Sequence, residues 1–434
     1  MNSLDLNSHI SLNSQLTSKK KWPDSSKNEA YYGLVGDIVR AIEPHSETDP
    51  VALLIQALVM FGNIIGKTAY FVAEADKHYL NIFSVLVGTT SKGRKGTSFN
   101  QIKRLFESIE PAWSRDRIQS GLSSGEGLIW AVRDPIERTE PIKQKGKVTG
   151  NQNVLVDAGI SDKRLLDVEA EFASTLRVIG RDGNTLSALV RQSWETGTLR
   201  VLTKNSPAKA TNAHISIIGH ITKDELLRYL DKTETANGFA NRFLWLCVKR
   251  SKFLPDGGQI QTVDFAPIVN GLLQAINFAL KVSEMKRDEN AKALWHKKYE
   301  RLSKEKPGLL GALTARAEPQ VMRLACIYAL YDCSDMVRLE HLQAALALWD
   351  YSEASVAYIF GDNLGDPIAD TILASLRSNP NGLSRTEISN LFKRHIESSQ
   401  ILRALVALQE LGIVDMKLVM TDGRSKEIWV AVAK

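Results

Sequence analysis

A short apolar run, Tyr79–Val87 (YLNIFSVLV), stops at Gly88, passes through the polar stretch GTTSKGRKGTS, and gives way to a helix-patterned segment, Phe99–Glu110. β-Branched and aromatic residues bounded by glycine read as a buried strand of the kind found in parallel sheets. A strand that enters a helix through glycines turns the loop N–H groups and the positive helix end toward one anion. Gly88 and Gly93 have the spacing of G-x-x-x-x-G-K-[ST], but Arg94 takes the lysine slot, Lys95 comes one residue late, and Thr97 follows Gly96. With one extra residue in the loop, Lys95 is expected to neutralise terminal phosphates and Thr97 to hold magnesium. The expected cradle is Gly88, Thr89, Thr90, Ser91, Gly93, Arg94, Lys95, Gly96, Thr97 and Ser98. The other readings are a basic surface loop, or a site that binds nucleotide without hydrolysing it.

Three more buried strands are expected at Arg164–Glu169 (RLLDVE), His214–His220 (HISIIGH) and Arg242–Val248 (RFLWLCV). Strands alternating with helices imply an α/β fold with a mainly parallel sheet. Asp49-Pro50 signals a helix start, with Asp as cap and Pro at the first helical position. Residues 1–28 are polar and read as a disordered tail. Residues 29–266 then form the core, within which 137–161 is a polar, basic insertion or long loop. Residues 267–360 are helical in pattern and read as a lid, and GDNLGDP (361–367) as a linker. Within 361–434, three helices and a strand–turn–strand, the turn at Thr421-Asp422-Gly423, have the winged-helix order.

Composition removes several classes. Three cysteines without a CxxC pair exclude a disulfide framework and argue against structural zinc. The histidines show no HExxH spacing. A net charge of +6 permits a polyanionic partner. The greasiest stretch, Val51–Ile65, is interrupted by Gln56, Gly62 and Asn63 and falls short of the roughly 20 apolar residues of a membrane span. No apolar signal core is present at the start of the chain, so the expected setting is cytoplasmic, with no membrane partner.

Gln119–Ile136 (QSGLSSGEGLIWAVRDPI) resembles the segment after the Walker A helix in the minichromosome maintenance helicases, a branch of the AAA+ ATPases. Further landmarks follow in the family's order. Glu169-Ala170-Glu171-Phe172 stands at its Asp-Glu-Phe, Leu199–Thr211 at its pre-sensor hairpin, and His214–Thr222 at its sensor-one strand. Asn241-Arg242-Phe243 stands at its Ser-Arg-Phe and Thr314–Leu324 at its sensor-two helix. From about Tyr31 onward the chain also resembles a bacterial family of unknown function found beside primase modules in phages, plasmids and genomic islands, on phrases such as GLSSGEGLIWAVRDPI and GFANRFLW.

The first resemblance implies a P-loop AAA+-like core, a helical lid, a winged helix, and ATP with Mg2+ as cofactors. It implies that Glu171 orients water, that Glu169 helps hold magnesium, and that His220 or Thr222 contacts the γ-phosphate or the attacking water. The split of the family's acid pair by Ala170 bears on the metal role. Arg242 is implied as the finger reaching a neighbour in a homo-oligomer, a hexamer by analogy. Arg316 is implied as the sensor-two arginine, with Arg323 its competitor. DNA contacts are implied at Lys204 and Lys209, which flank Asn205-Ser206-Pro207. Arg403 on the third winged-helix helix is a second DNA candidate, for duplex; packing of that unit on protein is its other reading. The implied activity is an ATP-dependent DNA translocase or helicase replicating a mobile genetic element beside a primase or initiator. The rivals are a weakly hydrolysing DNA-docking or regulatory protein and a RecA-like motor.

Overall fold

The computed structural model describes residues 22–89, 93–144, 147–202, 208–306, 308–361, 366–420 and 425–432. They divide into two compact units, one over 23–305 and 312–359, the other on 360–434 with 306–311.

In the larger unit, α1 (Gly33–Ile42) precedes α2 (Pro50–Ile64). Asp49 caps α2 as its sequence suggests, its carboxylate accepting the Val51 N–H at 3.1 Å. Nearly every residue of α2 is buried, which is why its apolar run lacks a polar stripe. The polar residues interrupting that run anchor it. Asn63 Nδ2 donates to the carbonyls of Leu165 (2.9 Å) and His214 (3.3 Å), and Asn63 Oδ1 accepts from Trp113 Nε1 at 3.0 Å.

Five strands form the central sheet: β1 (Phe83–Gly88), β2 (Ile118–Gln119), β3 (Arg164–Glu169), β4 (His214–Thr222) and β5 (Phe243–Cys247). All pairings are parallel, and the order is β5-β1-β4-β3-β2. β1 begins at Phe83 rather than Tyr79, because Asp76–Tyr79 folds back onto Tyr70–Ala73 as an antiparallel hairpin. α3 (Lys95–Ile109) begins directly behind the glycine loop, not at Phe99.

Strand alternation assigns the two faces. His214 of β4 places Nε2 2.8 Å from the Gly62 carbonyl of α2. Gly219 points the other way, where a Cβ would meet the ring of Phe172 at 2.8 Å. Thus α2 and α3 cover one face. The other carries α4 (Phe172–Ile179), α5 (Leu186–Glu195) and α6 (Lys223–Tyr229). The chain leaving β1 runs toward β2 at one edge, while the chain leaving β4 runs toward β5 at the other. Connections that part in this way open a crevice at the carboxyl ends of the two strands, here between Gly88 and its register partner Thr222.

Two expectations need correction. Residues 137–161 are not mainly loop: Ile136–Gln144 and Lys147–Asp157 pair as an antiparallel ribbon. Residues 267–360 are largely helical, as expected, but many of their described buried side chains join the apolar cluster of α1 and α2. α7 (Ala317–Tyr331) is buried along almost its whole length in the same apolar cluster as α1 and α2. Tyr328 and Tyr331 donate their hydroxyls to the carbonyls of Ala30 (2.6 Å) and Ala57 (3.0 Å).

The smaller unit has helices Pro367–Ser378, Arg385–Leu391 and Ser398–Glu410 and a three-stranded antiparallel sheet with Lys426–Ala431 in the middle. Its separate core includes Ile372, Leu373, Ile388, Leu405 and Trp429. The expected turn at 421–423 and residues 1–21 of the expected tail lie outside the described residues. No helix among the described residues is long and apolar enough to cross a membrane.

Candidate functional site

The crevice at the end of β1 collects part of the expected cradle. Thr89 is exposed, and Thr90 and Ser91 lie outside the described residues. Arg94 has φ 55°, a left-handed conformation uncommon for a side-chain-bearing residue; it turns the loop into α3. Its guanidinium is not offered to the loop, because it pairs with Glu47 at 2.6 Å. Lys95 is the first residue of α3 and is buried. It folds back over the loop: a Cβ on Gly93 would sit 3.8 Å from its Nζ. Burial lowers the Lys95 pKa, and the Glu225 carboxylate opposes that shift. Gly96 has open space around its Cα and Thr97 is exposed on the first turn. Ser98 is a correction: its hydroxyl turns inward, accepting from Gln56 Nε2 at 2.7 Å and donating to the Lys95 carbonyl at 2.6 Å.

Two expected residues end β4, and the structure separates their roles. Thr222 caps α6: its hydroxyl accepts the Glu225 N–H (3.3 Å) and lies 2.7 Å from Glu225 Oε2, a reciprocal capping box. His220 is buried, with no partner on Nε2 among the described residues. Burial, reinforced by the Lys95 charge, holds its pKa down at about 4, so the ring is neutral at pH 7. Glu225 was missed in the sequence, although Thr-x-x-Glu directly after a strand is a helix-start signature.

The expected metal acid does not fit. Glu169 is in register with Gly219 and therefore points to the α4 face, away from α3 and Thr97. Its Oε1 accepts the N–H groups of Gly121 (2.5 Å) and Leu122 (2.8 Å). Asp167, two residues earlier, shares that face. Burial and then the Glu169 charge keep its carboxyl well above the usual carboxylate range. Glu171 is exposed at the start of α4 and makes no capping bond there. Among the described residues it is the acid at the end of β3 with no side-chain bond to a neighbour. Lys95, Gly93 and Gly96 thus fit a polyphosphate, and Thr97 fits one magnesium ligand, but Glu169 does not supply another.

The arginines form a separate cluster. Arg242 precedes Phe243, which is level with Phe83, so it stands at the amino ends of the strands, opposite the loop. It is buried, bonded to the Gly238 carbonyl and paired with Glu195 at 2.6 Å. As a finger it is therefore corrected: its head is enclosed within its own chain. Arg316 reaches the same Glu195 oxygen at 2.9 Å with a third of its side chain exposed, 32%. Arg323 is fully buried, stacks 3.6 Å from the Trp194 ring centroid, and donates to the carbonyls of Asn81 (2.7 Å) and Trp194 (2.9 Å). That geometry makes Arg323 a packing element and leaves Arg316 as the surface arginine. Burial, followed by the Arg316 charge, pulls the Arg242 pKa down to about 10. Glu195, the shared acid, ends α5, where the helix dipole disfavours a negative charge; that misplacement was its one sequence signal.

Of the DNA candidates, Lys204 lies outside the described residues, and Lys209 is exposed on a hairpin stem, Leu199–Arg200 against Lys209–Ala210. Arg403 is exposed on helix Ser398–Glu410. One group among the described residues has metal-like spacing: ligand atoms of Asp332, Glu340 and His341 lie within 4.8 Å of one another. His341 Nδ1 accepts the Arg338 N–H at 3.0 Å, so its proton sits on Nε2 and points at Asp332, 3.2 Å away. No ring lone pair is left for a metal, and the group reads as a hydrogen-bonded helix start. A scan against protein-family models finds no match for the chain, and neither does a search of curated proteins.

Proposed function

We propose that this chain is a P-loop ATPase of the ring-forming AAA+ kind that binds ATP with Mg2+ at the β1–α3 loop and drives movement along DNA. The observation that carries the reading is Lys95: a buried ammonium at the first position of a helix, folded over a glycine, in the crevice of a parallel sheet. A cation there, beside loop N–H groups and a helix amino end, is a seat for a polyphosphate. ATP supplies the transferable phosphoryl group, and the bound cation offsets its charge. Lys95 binds the terminal phosphates and Thr97 is a metal ligand. Neutral His220 hydrogen-bonds near the γ-phosphate, and Glu171 orients water. Arg316, from its partly exposed position on Glu195, is presented to an adjoining copy, most simply in a hexamer. The Lys209 hairpin grips single-stranded DNA, and the smaller unit, a winged helix by its element order, meets duplex DNA through Arg403. Replication of a mobile element beside a primase or initiator is the setting that the sequence resemblance suggests.

A second reading has specific support. Glu169 is held by two amides, and Arg242 is enclosed by Glu195. Both favour a nucleotide-dependent DNA-docking protein with little turnover. The deciding experiment is phosphate release with ATP, Mg2+ and single-stranded DNA, alongside binding of a fluorescent ATP analogue. The ATPase reading expects release that falls at least ~100-fold in Lys95→Ala. Analogue binding without release selects the docking protein. Release unaffected by Lys95→Ala rejects the site.

A further inference from the structure

A wedge-shaped groove opens beside the Tyr70–Ala73 strand. At its closed end Tyr70 donates its N–H to the Ser283 carbonyl (3.0 Å) and accepts from the Met285 N–H (2.8 Å). Past this point the two chains part. Lys286 and Arg287 pair with Met336 and Val337, while Phe71–Ala73 stays with the hairpin. The space between them is a cavity of about 460 Å³.

Three features of the wedge agree on one occupant. First, backbone groups repeat their direction every second residue along a strand. Since both Tyr70 groups point into the wedge side, so do the N–H and C=O of Val72, which is itself 43% exposed. Among the described residues this strand edge is unpaired. Second, the floor is apolar and adaptable, made by Phe71, Met285 and Met322. Third, Arg287 lines the wall without a carboxylate partner among the described residues. Its guanidinium lies 5.0 Å from the Trp295 ring centroid, and its Nη1 is directed at Met322 Sδ, 3.3 Å away. A thioether is a weak acceptor, so a half-buried cation here lacks its natural complement. At the rim Lys292 is paired with Glu289 at 3.8 Å and Lys286 with Glu284, which leaves Arg287 as the cation of the lining without an acidic partner among the described residues. Of the two acids in the lining, Glu284 is already paired with Lys286 at 3.6 Å, and Glu74 is exposed at the hairpin turn.

We propose that this wedge docks an extended acidic peptide segment of a partner protein, which adds a strand beside Val72, lays an apolar side chain over Phe71, Met285 and Met322, and pairs a carboxylate with Arg287. Strand addition gives affinity through the main chain and selectivity through alternate side chains. A bidentate carboxylate on Arg287 replaces the thioether as acceptor. This inference is independent of nucleotide binding.

The test is fluorescence polarisation of the full chain with two fluorescein-labelled hexapeptides, one alternating aspartate with leucine and the other asparagine with leucine. The wild type is expected to bind the aspartate peptide about tenfold more tightly, and Arg287→Met to bring the two within about twofold. Val72→Pro removes an N–H that bonds nothing among the described residues, so it is expected to melt near the wild-type temperature, as edge prolines allow, and to lose affinity for both peptides. Equal affinity of the wild type for the two peptides, or an Arg287→Met variant that still prefers aspartate, overturns the proposal. Unfolding of Val72→Pro overturns the strand-edge assignment.

Discussion

Arg242 and Arg316 share one carboxylate oxygen yet should respond oppositely to removal. Arg242→Ala takes a buried partner from Glu195 and a donor from the Gly238 carbonyl. Removing one member of a buried pair costs about 3–5 kcal/mol. Glu195 keeps Arg316 at 2.9 Å and has 32% of its side chain exposed, so solvent and the second guanidinium soften the loss to about 2–3 kcal/mol. In a unit of this size each kcal/mol moves the melting temperature by about 2 °C, which gives a drop of about 4–6 °C. Arg316→Ala breaks a pair in which both members are a third exposed; its cost is about 0–1 kcal/mol, a shift of 2 °C or less. If Arg316 is the arginine presented to a neighbour, the same variant loses about 10³-fold in turnover while its melting curve barely moves. Scanning fluorimetry without nucleotide and phosphate release with ATP, on the same samples, separate the two effects. Equal melting losses, or a larger one for Arg316→Ala, would refute the assignment of Arg242 as the enclosed member. A stable Arg316→Ala with normal turnover would refute the role of Arg316 alone.

Gly62→Ala tests packing against propensity. Inside a helix the change should stabilise by up to about 1 kcal/mol, but a Cβ at Gly62 would meet the Leu80 carbonyl oxygen at 2.4 Å. Overpacking of this kind costs about 1–3 kcal/mol, so urea unfolding is expected to show a net loss, and a gain would contradict the packing of α2 on the sheet. For pH, the folded His220 pKa of about 4 lies below the unfolded value of about 6.5. The unfolded chain therefore holds the proton more tightly. Stability from this residue is complete above pH 6.5 and falls as pH drops toward 4, by up to about 1.4 kcal/mol per unit. His220→Gln should flatten the change in urea midpoint between pH 7 and pH 5; an unchanged slope would place the titration elsewhere.

The elements that could be read from sequence are those whose signal is local. RLLDVE became β3 residue for residue, since Leu165, Leu166 and Val168 give a short run of strand-forming apolar residues although charges interrupt it. Asp49-Pro50 marked α2 for the same reason: a cap is a contact between near neighbours. The ribbon at 136–157 hid because it is exposed on most of both faces; with no buried side there is no apolar alternation to see.

At the site the division follows the same line. The strand, glycine loop and helix around Lys95 were legible in order because they are contiguous, although the helix begins at Lys95 rather than at Phe99. The orientation of Glu169 was not, because the face it takes depends on its register with Gly219, set by a pairing across the sheet. Glu195, Arg242 and Arg316 are brought together from three separate stretches of chain around Trp194, and no spacing rule connects them. A motif scan assigns each arginine its own task; the fold gives both the same carboxylate. Whatever Arg316 does at the surface is therefore set by how firmly Arg242 holds Glu195 beneath it, which makes the acid, absent from every motif, the residue through which the two arginines are coupled.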